Sequence, residues 1–406
     1  MHRAGSAEIV PVRLGSNENN KGEQGERVAD TIADSADEAP TVQLTDEKPT
    51  RKLRKDDDLL GAERRLALML VAPTFVLMIA IMIYPLGQVI YSSMTDRIFA
   101  SNVETSFVGL DNYRDLLSVT VRTLGPELDD AGNPVIDEET GEQVLQRPID
   151  VLPREPRRYR EAYTFSAFGN DIVIGATDRD FIRSVWDTSV FTLFAVVLET
   201  LLGLGIALLL NTAFVGRGAM RALMLVPWAI PTAVSSRMWE YMFSSTRSGL
   251  FNVLGQNLLG TDGNTAFLST PGWQLPAAIA IDTWKTTPFM ALLMLAGLQL
   301  IPTDLYEAAR VDGAGRWRQF TSVTLPLLMP TIAVALVFRT LDSLRVFDLF
   351  QIVFGQNRFS MASKTYYDLI DNQLMGYSSA TSVVIFALLT IFAIIYIRTL
   401  GVTTDE

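Results

Sequence analysis

Six stretches of roughly 20 or more mostly apolar residues recur along the chain, at about 66–94, 186–213, 219–243, 274–300, 328–354 and 379–400. Each is long enough to cross ~30 Å of hydrocarbon as a helix. The pattern predicts an all-α polytopic membrane protein with six transmembrane helices. Residues 1–58 break the pattern: they are polar and acidic, with almost no aromatic groups. Such a segment buries too little apolar surface to offset its chain entropy and reads as a disordered cytoplasmic tail. It is too long and too acidic to precede the apolar core of a cleaved signal peptide, so 59–94 is expected to stay as the first membrane helix. A polar stretch, 95–183, separates that helix from a five-helix core at 184–400.

Prolines mark two of the spans. Pro227 and Pro231 fall inside the third and Pro288 inside the fourth. Proline removes a backbone donor and kinks a helix, which a membrane tolerates where protein or a wet path satisfies the freed carbonyl.

Basic residues set the expected orientation, since Lys and Arg concentrate in short cytoplasmic loops. Arg51, Lys52, Arg54, Lys55, Arg64 and Arg65 precede the first span and put the N-terminus in the cytoplasm. Alternation then places Arg217, Arg221, Arg310, Arg316, Arg318 and Arg398 inside as well, and 95–183 outside. Within 95–183, the segment Phe107–Tyr113 leads into a short helix. The Gly- and Asn-bearing turns at 129–134 and 138–142, with Val135, Ile136, Val144 and Leu145 beside the second, predict a β-hairpin. Two readings of this segment stay open: a solvated insertion, or a docking surface for an external solute-binding protein.

Composition then excludes much chemistry. The net charge of −11 resides largely in the tail and in 95–183, so it implies no basic ligand and no nucleic acid. There is no cysteine, and the single histidine is His2, so neither a Ser-His-Asp triad nor a histidine-bearing zinc site has its parts. No catalytic or metal-ligating set is expected. No G-x-x-x-x-G-K-[ST] loop occurs, so ATP is not hydrolysed here by that route. The energy source must be a partner or an ion gradient.

One polar loop between two spans, 301–326, has a definite shape. Thr303 or Asp304 offers an N-cap, Leu305 to Val311 a short helix, and Asp312-Gly313 its stop. Arg316 to Thr324 predicts a second short helix, and Leu325-Pro326 begins the next span. Ala308 and Ala309 leave a thin face beside one acid, Glu307, so the loop suits a socket on another protein.

The series Glu307-Ala308-Ala309-Arg310-Val311-Asp312-Gly313-Ala314, then Phe320, then Leu325-Pro326, resembles the EAA loop of the permease subunits of binding-protein-dependent ABC importers. Further likeness to the maltose and trehalose importer branch lies in Phe107–Tyr113, Thr283-Trp284 with Pro288-Phe289, Phe338–Asp342 and Phe347-Asp348. The run Trp284–Met290 looks most like actinobacterial trehalose-importer permeases. The likeness spans about 64–400; the tail and the insertion near 120–180 depart from it. It implies the type I ABC importer permease fold in a multi-pass cell-membrane protein. It also implies a second homologous permease subunit, two ATPase subunits that bind ATP and Mg, and an external solute-binding protein delivering a disaccharide. This chain would bind no cofactor itself. Glu307, Ala308, Ala309, Asp312, Gly313 and Ala314 would contact the ATPase.

Charges inside two spans complete the picture. Asp282, Lys285, Thr286 and Phe289 share one helix face at i, i+3, i+4, i+7 spacing, and Phe338, Leu341, Asp342 and Arg345 repeat it, with Arg339 and Asp348 close by. A charge at mid-membrane costs ~2.5–3.5 kcal/mol on insertion scales, so such groups face protein or a wet cavity. They form either a shared polar lining for a hydroxyl-rich solute or neutralising pairs, Asp282 with Lys285 and Asp342 with Arg345 or Arg339. In the maltose-type relatives the matching faces form the sugar pocket, with Asn in place of Asp282 and an apolar residue in place of Lys285. The leading expectation is a permease subunit for an α-linked disaccharide of the trehalose or maltose type. An ion-coupled secondary transporter using the buried charges is the alternative, though such folds carry inverted repeats and no duplication is evident. An intramembrane enzyme built on Asp282 and Asp342 has no supporting motif.

Overall fold

The computed structural model describes residues 53–399 apart from 130, 138–140, 142, 168, 247 and 248. The expected disordered tail therefore lies, up to residue 52, outside the described residues. The chain divides into two units, residues 1–75 and 76–406. The first contributes only the opening part of helix α1 (Leu53–Ser92), which is already helical at Leu53, ahead of the expected boundary at 59.

The second unit continues with α2 (Asp111–Leu117), β1 (Val119–Leu124), α3 (Pro148–Val151), β2 (Arg160–Ala167) and β3 (Asn170–Ala176). Next come α4 (Arg179–Asn211), α5 (Arg217–Met224), α6 (Val226–Ala229), α7 (Thr232–Met242), α8 (Leu250–Leu254) and α9 (Pro271–Gln299). The chain ends with α10 (Thr303–Val311), α11 (Arg316–Gln319), α12 (Leu325–Leu344), α13 (Asp348–Val353), α14 (Met361–Ile370) and α15 (Met375–Thr399). Among the described residues four helical stretches are long and apolar enough to cross a membrane: Arg64–Ser92, Arg179–Asn211, Arg316–Val353 and Met375–Thr399. The pair α9 and α10, bent by 69° at its break, makes a fifth.

The remaining expected span, 219–243, the third along the chain, is not one helix. It is α5, α6 and α7, and the breaks lie beside Pro227 and Pro231, whose missing donors end each piece. Its pieces nevertheless run the length of α9. Met224 packs in the cluster of Met294 and Leu298, and Trp228 stacks on Phe289 with ring centroids 6.0 Å apart. Trp239 meets Trp284 edge-on at 5.5 Å, and Phe243 joins Leu275. Pro288, by contrast, sits within an unbroken α9.

Helices α4 and α9 lie side by side and parallel, since Phe191 packs with Ala278 and Leu210 with Leu298. The close approach is set by Gly203: a Cβ there would stand 2.9 Å from Met290 Cβ and 3.1 Å from the Ala291 nitrogen. Helix α12 runs back against both, with Leu328 and Ile332 beside Met294 and Leu298. Two polar clusters fasten the end that holds the start of α4. Asp178 caps α4 by accepting from the Phe181 N–H at 3.0 Å, and it also accepts from Lys364 Nζ and the Tyr377 hydroxyl, both at 2.9 Å. Ser360 and Ser363 form a reciprocal capping box at the start of α14.

The 95–183 segment adds β-structure to this helical protein. A three-stranded antiparallel sheet of order β1-β3-β2 packs Leu124, Leu152 and Val173 together. The expected hairpin also forms, as a narrow ladder in which Val144 N–H donates to Val135 O at 2.9 Å and Glu127 N–H to Val144 O at 2.7 Å. Its second turn falls partly on residues outside the described set. In the first turn the Asn133 N–H, with Ala131, holds the Asp129 carboxyl below its ordinary range.

Candidate functional site

Arg339, on α12, organises the interior. Its Nε donates to Glu199 Oε2 at 2.5 Å and its Nη2 to Glu199 Oε1 at 3.0 Å, while Nη1 donates to Asp342 Oδ2 at 3.0 Å. Nη2 also donates to Asp282. Glu199 is 0% exposed and Arg339 3%, so these charges have left water and survive only because each is paired. The planar guanidinium suits the task, because its fork can serve several carboxylates at once. Three helices, α4, α9 and α12, are thereby pinned to one side chain.

Asp282 and Asp342 face from this hub onto a cavity of about 450 Å³, lined also by Lys285, Thr286, Arg345 and Trp228. Lys285 does not pair with Asp282, contrary to the neutralising pair expected from the sequence. Its Nζ donates to the Ile230 carbonyl at 2.8 Å and reaches that of Trp228 at 3.4 Å. Those carbonyls lie at the α6–α7 break, where Val234 N–H turns instead to Pro231 O at 3.0 Å. The lysine supplies the donor that the broken helix lacks. Thr286 returns its hydroxyl to the Asp282 carbonyl at 2.6 Å, and Arg345 stands 3.5 Å from Asp342.

The structure thus brings together five of the eight expected path residues: Asp282, Lys285, Thr286, Asp342 and Arg345. Phe289 stands just behind the lining, stacked on Trp228. Phe338 is 63% exposed and, with half-buried Leu341, lies off the cavity. The reason is helical phase: Arg339, Asp342 and Ser343 form the inward stripe on α12, one residue round from the expected face. Glu199 escapes a reading based on charge stripes, because it stands within the second apolar run far from another charge. That isolation was itself the available signal.

At the far end of α9, loop 301–326 forms a helix and a stop. Helix α10 begins after Pro302 with no side-chain cap, so neither Thr303 nor Asp304 plays that part. Its end is a Schellman motif: Ala314 N–H donates to Ala309 O at 2.9 Å and Gly313 N–H to Arg310 O at 3.1 Å. Gly313 has φ +77°, the left-handed conformation that glycine accepts freely. The expected second helix is α11 followed by one π turn, Phe320–Thr324, running into α12. Tyr306 and Thr324 hydroxyls lie 3.0 Å apart and tie α10 to that turn. Glu307, Ala308, Asp312 and Gly313 are exposed, Ala309 and Ala314 half-buried. The Glu307 carboxylate has no ion pair or hydrogen bond among the described residues.

A multi-helix membrane bundle with a charged interior cavity and a rigid exposed loop at one end defines a membrane transport subunit. Residues 199–400 match the family described as binding-protein-dependent transport system inner membrane component. The chain is 45% identical over 260 residues to the trehalose/maltose transport system permease protein MalF of Thermococcus litoralis, covering 63% of this chain and 83% of that one. It is 33% identical over 342 residues to the trehalose transport system permease protein SugA of Mycobacterium tuberculosis, covering 84% of this chain and 90% of that one. In fold it is similar to a bacterial ABC transporter involved in alginate import, with a TM-score of 0.51, 24% identity, and 56% and 80% of the two chains covered. The chain belongs to the family of binding-protein-dependent ABC importer permeases. It is therefore a multi-pass membrane subunit of a multi-component transporter, and ATP hydrolysis belongs to a separate subunit. Its place in this family removes the ion-coupled reading.

Proposed function

We propose that the chain forms half of a translocation path for an α-linked disaccharide of the trehalose or maltose type, completed by a second homologous permease. Two ATPase subunits dock on loop 301–326 in the cytoplasm, and an external binding protein delivers the sugar. The observation that carries this reading is the cavity beside Asp282 and Asp342, where carboxylates, a lysine, a hydroxyl and the Trp228 indole converge in about 450 Å³. Carboxylates and ammonium groups bind sugar hydroxyls, and an aromatic face takes the apolar side of a pyranose ring. Exposed Phe338 would complete the wall from the side open to the second permease.

The coupling loop supports the same reading. A helix closed by a Schellman motif and bonded back through Tyr306 and Thr324 transmits a push without folding up. Alternating access then requires only that ATP and the loaded binding protein favour different conformations of one bundle. The test is uptake of labelled trehalose, maltose, sucrose and free glucose by cells with and without the gene. Loss of trehalose or maltose uptake in the deleted strain is expected, and uptake of all four unaltered would refute the proposal.

A further inference from the structure

A second cavity, of about 500 Å³, opens at the end of the bundle opposite loop 301–326 and shares no lining residue with the first. Its walls come from β2, the first turns of α4, the start of α9 and the turn before α14. The floor is a closed ion pair: Arg358 donates to both Asp187 oxygens at 2.7 Å and to the Pro271 carbonyl at 3.1 Å. Arg179 and Asp180 also pair, at 3.3 Å. These four charges answer one another, and Arg183 is the one lining charge without a carboxylate partner among the described residues.

What remains unsatisfied is of another kind. The side-chain amides of Gln356 and Asn357 line the cavity, exposed and without a hydrogen-bond partner among the described residues. Arg183 spends only its Nε, on the Ala162 carbonyl at 2.7 Å, and its guanidinium carbon stands over the Tyr163 ring, 5.9 Å from the centroid. Tyr163 and Phe359 offer aromatic surface. Burial, then the Asp187 carboxylate, push the Tyr163 hydroxyl up to about 12, so it stays protonated at physiological pH, reaching the Arg183 carbonyl at 3.5 Å. Planar amides, a free guanidinium edge and aromatic faces are complementary to a neutral ligand with many hydroxyls and an apolar C–H face, and the volume lies in the small-ligand range.

We propose that this cavity is a second carbohydrate site, which holds a neutral disaccharide at the outer mouth before it reaches the site at Asp282. The inference rests on the disaccharide reading above and adds a place of first contact to it. Trp186, edge-on to Tyr163 with centroids 6.4 Å apart, is a built-in reporter.

The experiment uses the complete transporter in nanodiscs, with Trp186 emission isolated as the difference from the Trp186→Phe variant. Titration with millimolar trehalose or maltose should shift that emission, whereas mannitol should not. In the Gln356→Ala/Asn357→Ala double variant the half-saturating sugar concentration should rise at least five-fold. Both residues are exposed, so loss of fold is not expected, and a Trp186 emission maximum matching the unmodified transporter without sugar checks it. A Trp186 signal indifferent to neutral disaccharides, or equally sensitive in the double variant, overturns the proposal. If uptake of labelled disaccharide persists with a silent Trp186, the outer site alone fails; if no disaccharide is carried at all, the functional reading fails with it.

Discussion

A single guanidinium holds three carboxylates, two of them buried in the bundle, and its removal leaves buried charge without a partner. Breaking a buried pair by deleting one partner costs about 3–5 kcal/mol, because the remaining charge stays buried and uncompensated. Arg339→Met strands Glu199, which is 0% exposed, along with Asp282. Its thermal unfolding midpoint in detergent should fall well below that of Glu199→Gln, which leaves the arginine two carboxylates. Arg339→Lys should fall between them, since an ammonium cannot reproduce the bidentate contact. Equal midpoints for all three would show that the hub carries no structural load. At this scale the sequence is partly legible. Asp282, Lys285 and Asp342 are conspicuous as charges in apolar runs, but which partner each takes depends on the rotation of α12 and on the broken helix at Ile230. Neither follows from spacing along one chain.

The elements divide in the same way. Loop 301–326 can be read in advance because its stop signal is local: Asp312-Gly313 dictates the helix end through glycine's freedom at positive φ, whatever surrounds it. The third span was visible as an apolar run with Pro227 and Pro231, yet the carbonyls freed at its α6–α7 break find their donor in Lys285 on α9, a partner that spacing does not reveal. The sheet is the least legible element. Strands β2 and β3 carry β-branched and aromatic residues either side of Gly169, a turn signal, but Val173 of β3 packs against Leu124 of β1 and against Leu152, just after α3. Gly313→Ala places a Cβ at φ +77°, a conformation costing L-residues about 1–2 kcal/mol. The Schellman bonds from Gly313 and Ala314 should then loosen. Hydrogen exchange at the Ala314 amide should rise roughly ten-fold, while amides in the middle of α9 keep their protection. Unaltered exchange at Ala314 would mean the loop does not depend on that turn.

Across the whole molecule, the parallel packing of α4 and α9 fixes sidedness in relative terms, because the chain between them must return along α9 before α9 begins. Loop 301–326 and the α4–α5 connection therefore share one end, and the sheet, the α13–α14 turn and the second cavity share the other. The basic residues Arg217, Arg221, Arg310, Arg316 and Arg318 gather at the first end, which the positive-inside rule assigns to the cytoplasm. With no cysteine in the sequence, a single introduced cysteine is the chain's only thiol, and the label on this chain reports that position alone. Ala308→Cys and Gln356→Cys are exposed positions at opposite ends. A membrane-impermeant maleimide added to intact cells should label Gln356→Cys and spare Ala308→Cys, and inverted vesicles should give the reverse. On the proposed docking, ATPase subunits seated on the loop would shield Ala308→Cys further, and stripping them from the vesicles should then raise its labelling rate several-fold. Labelling of Ala308→Cys from outside would put loop 301–326 on the side without ATP, where the proposed coupling to an ATPase could not drive the bundle.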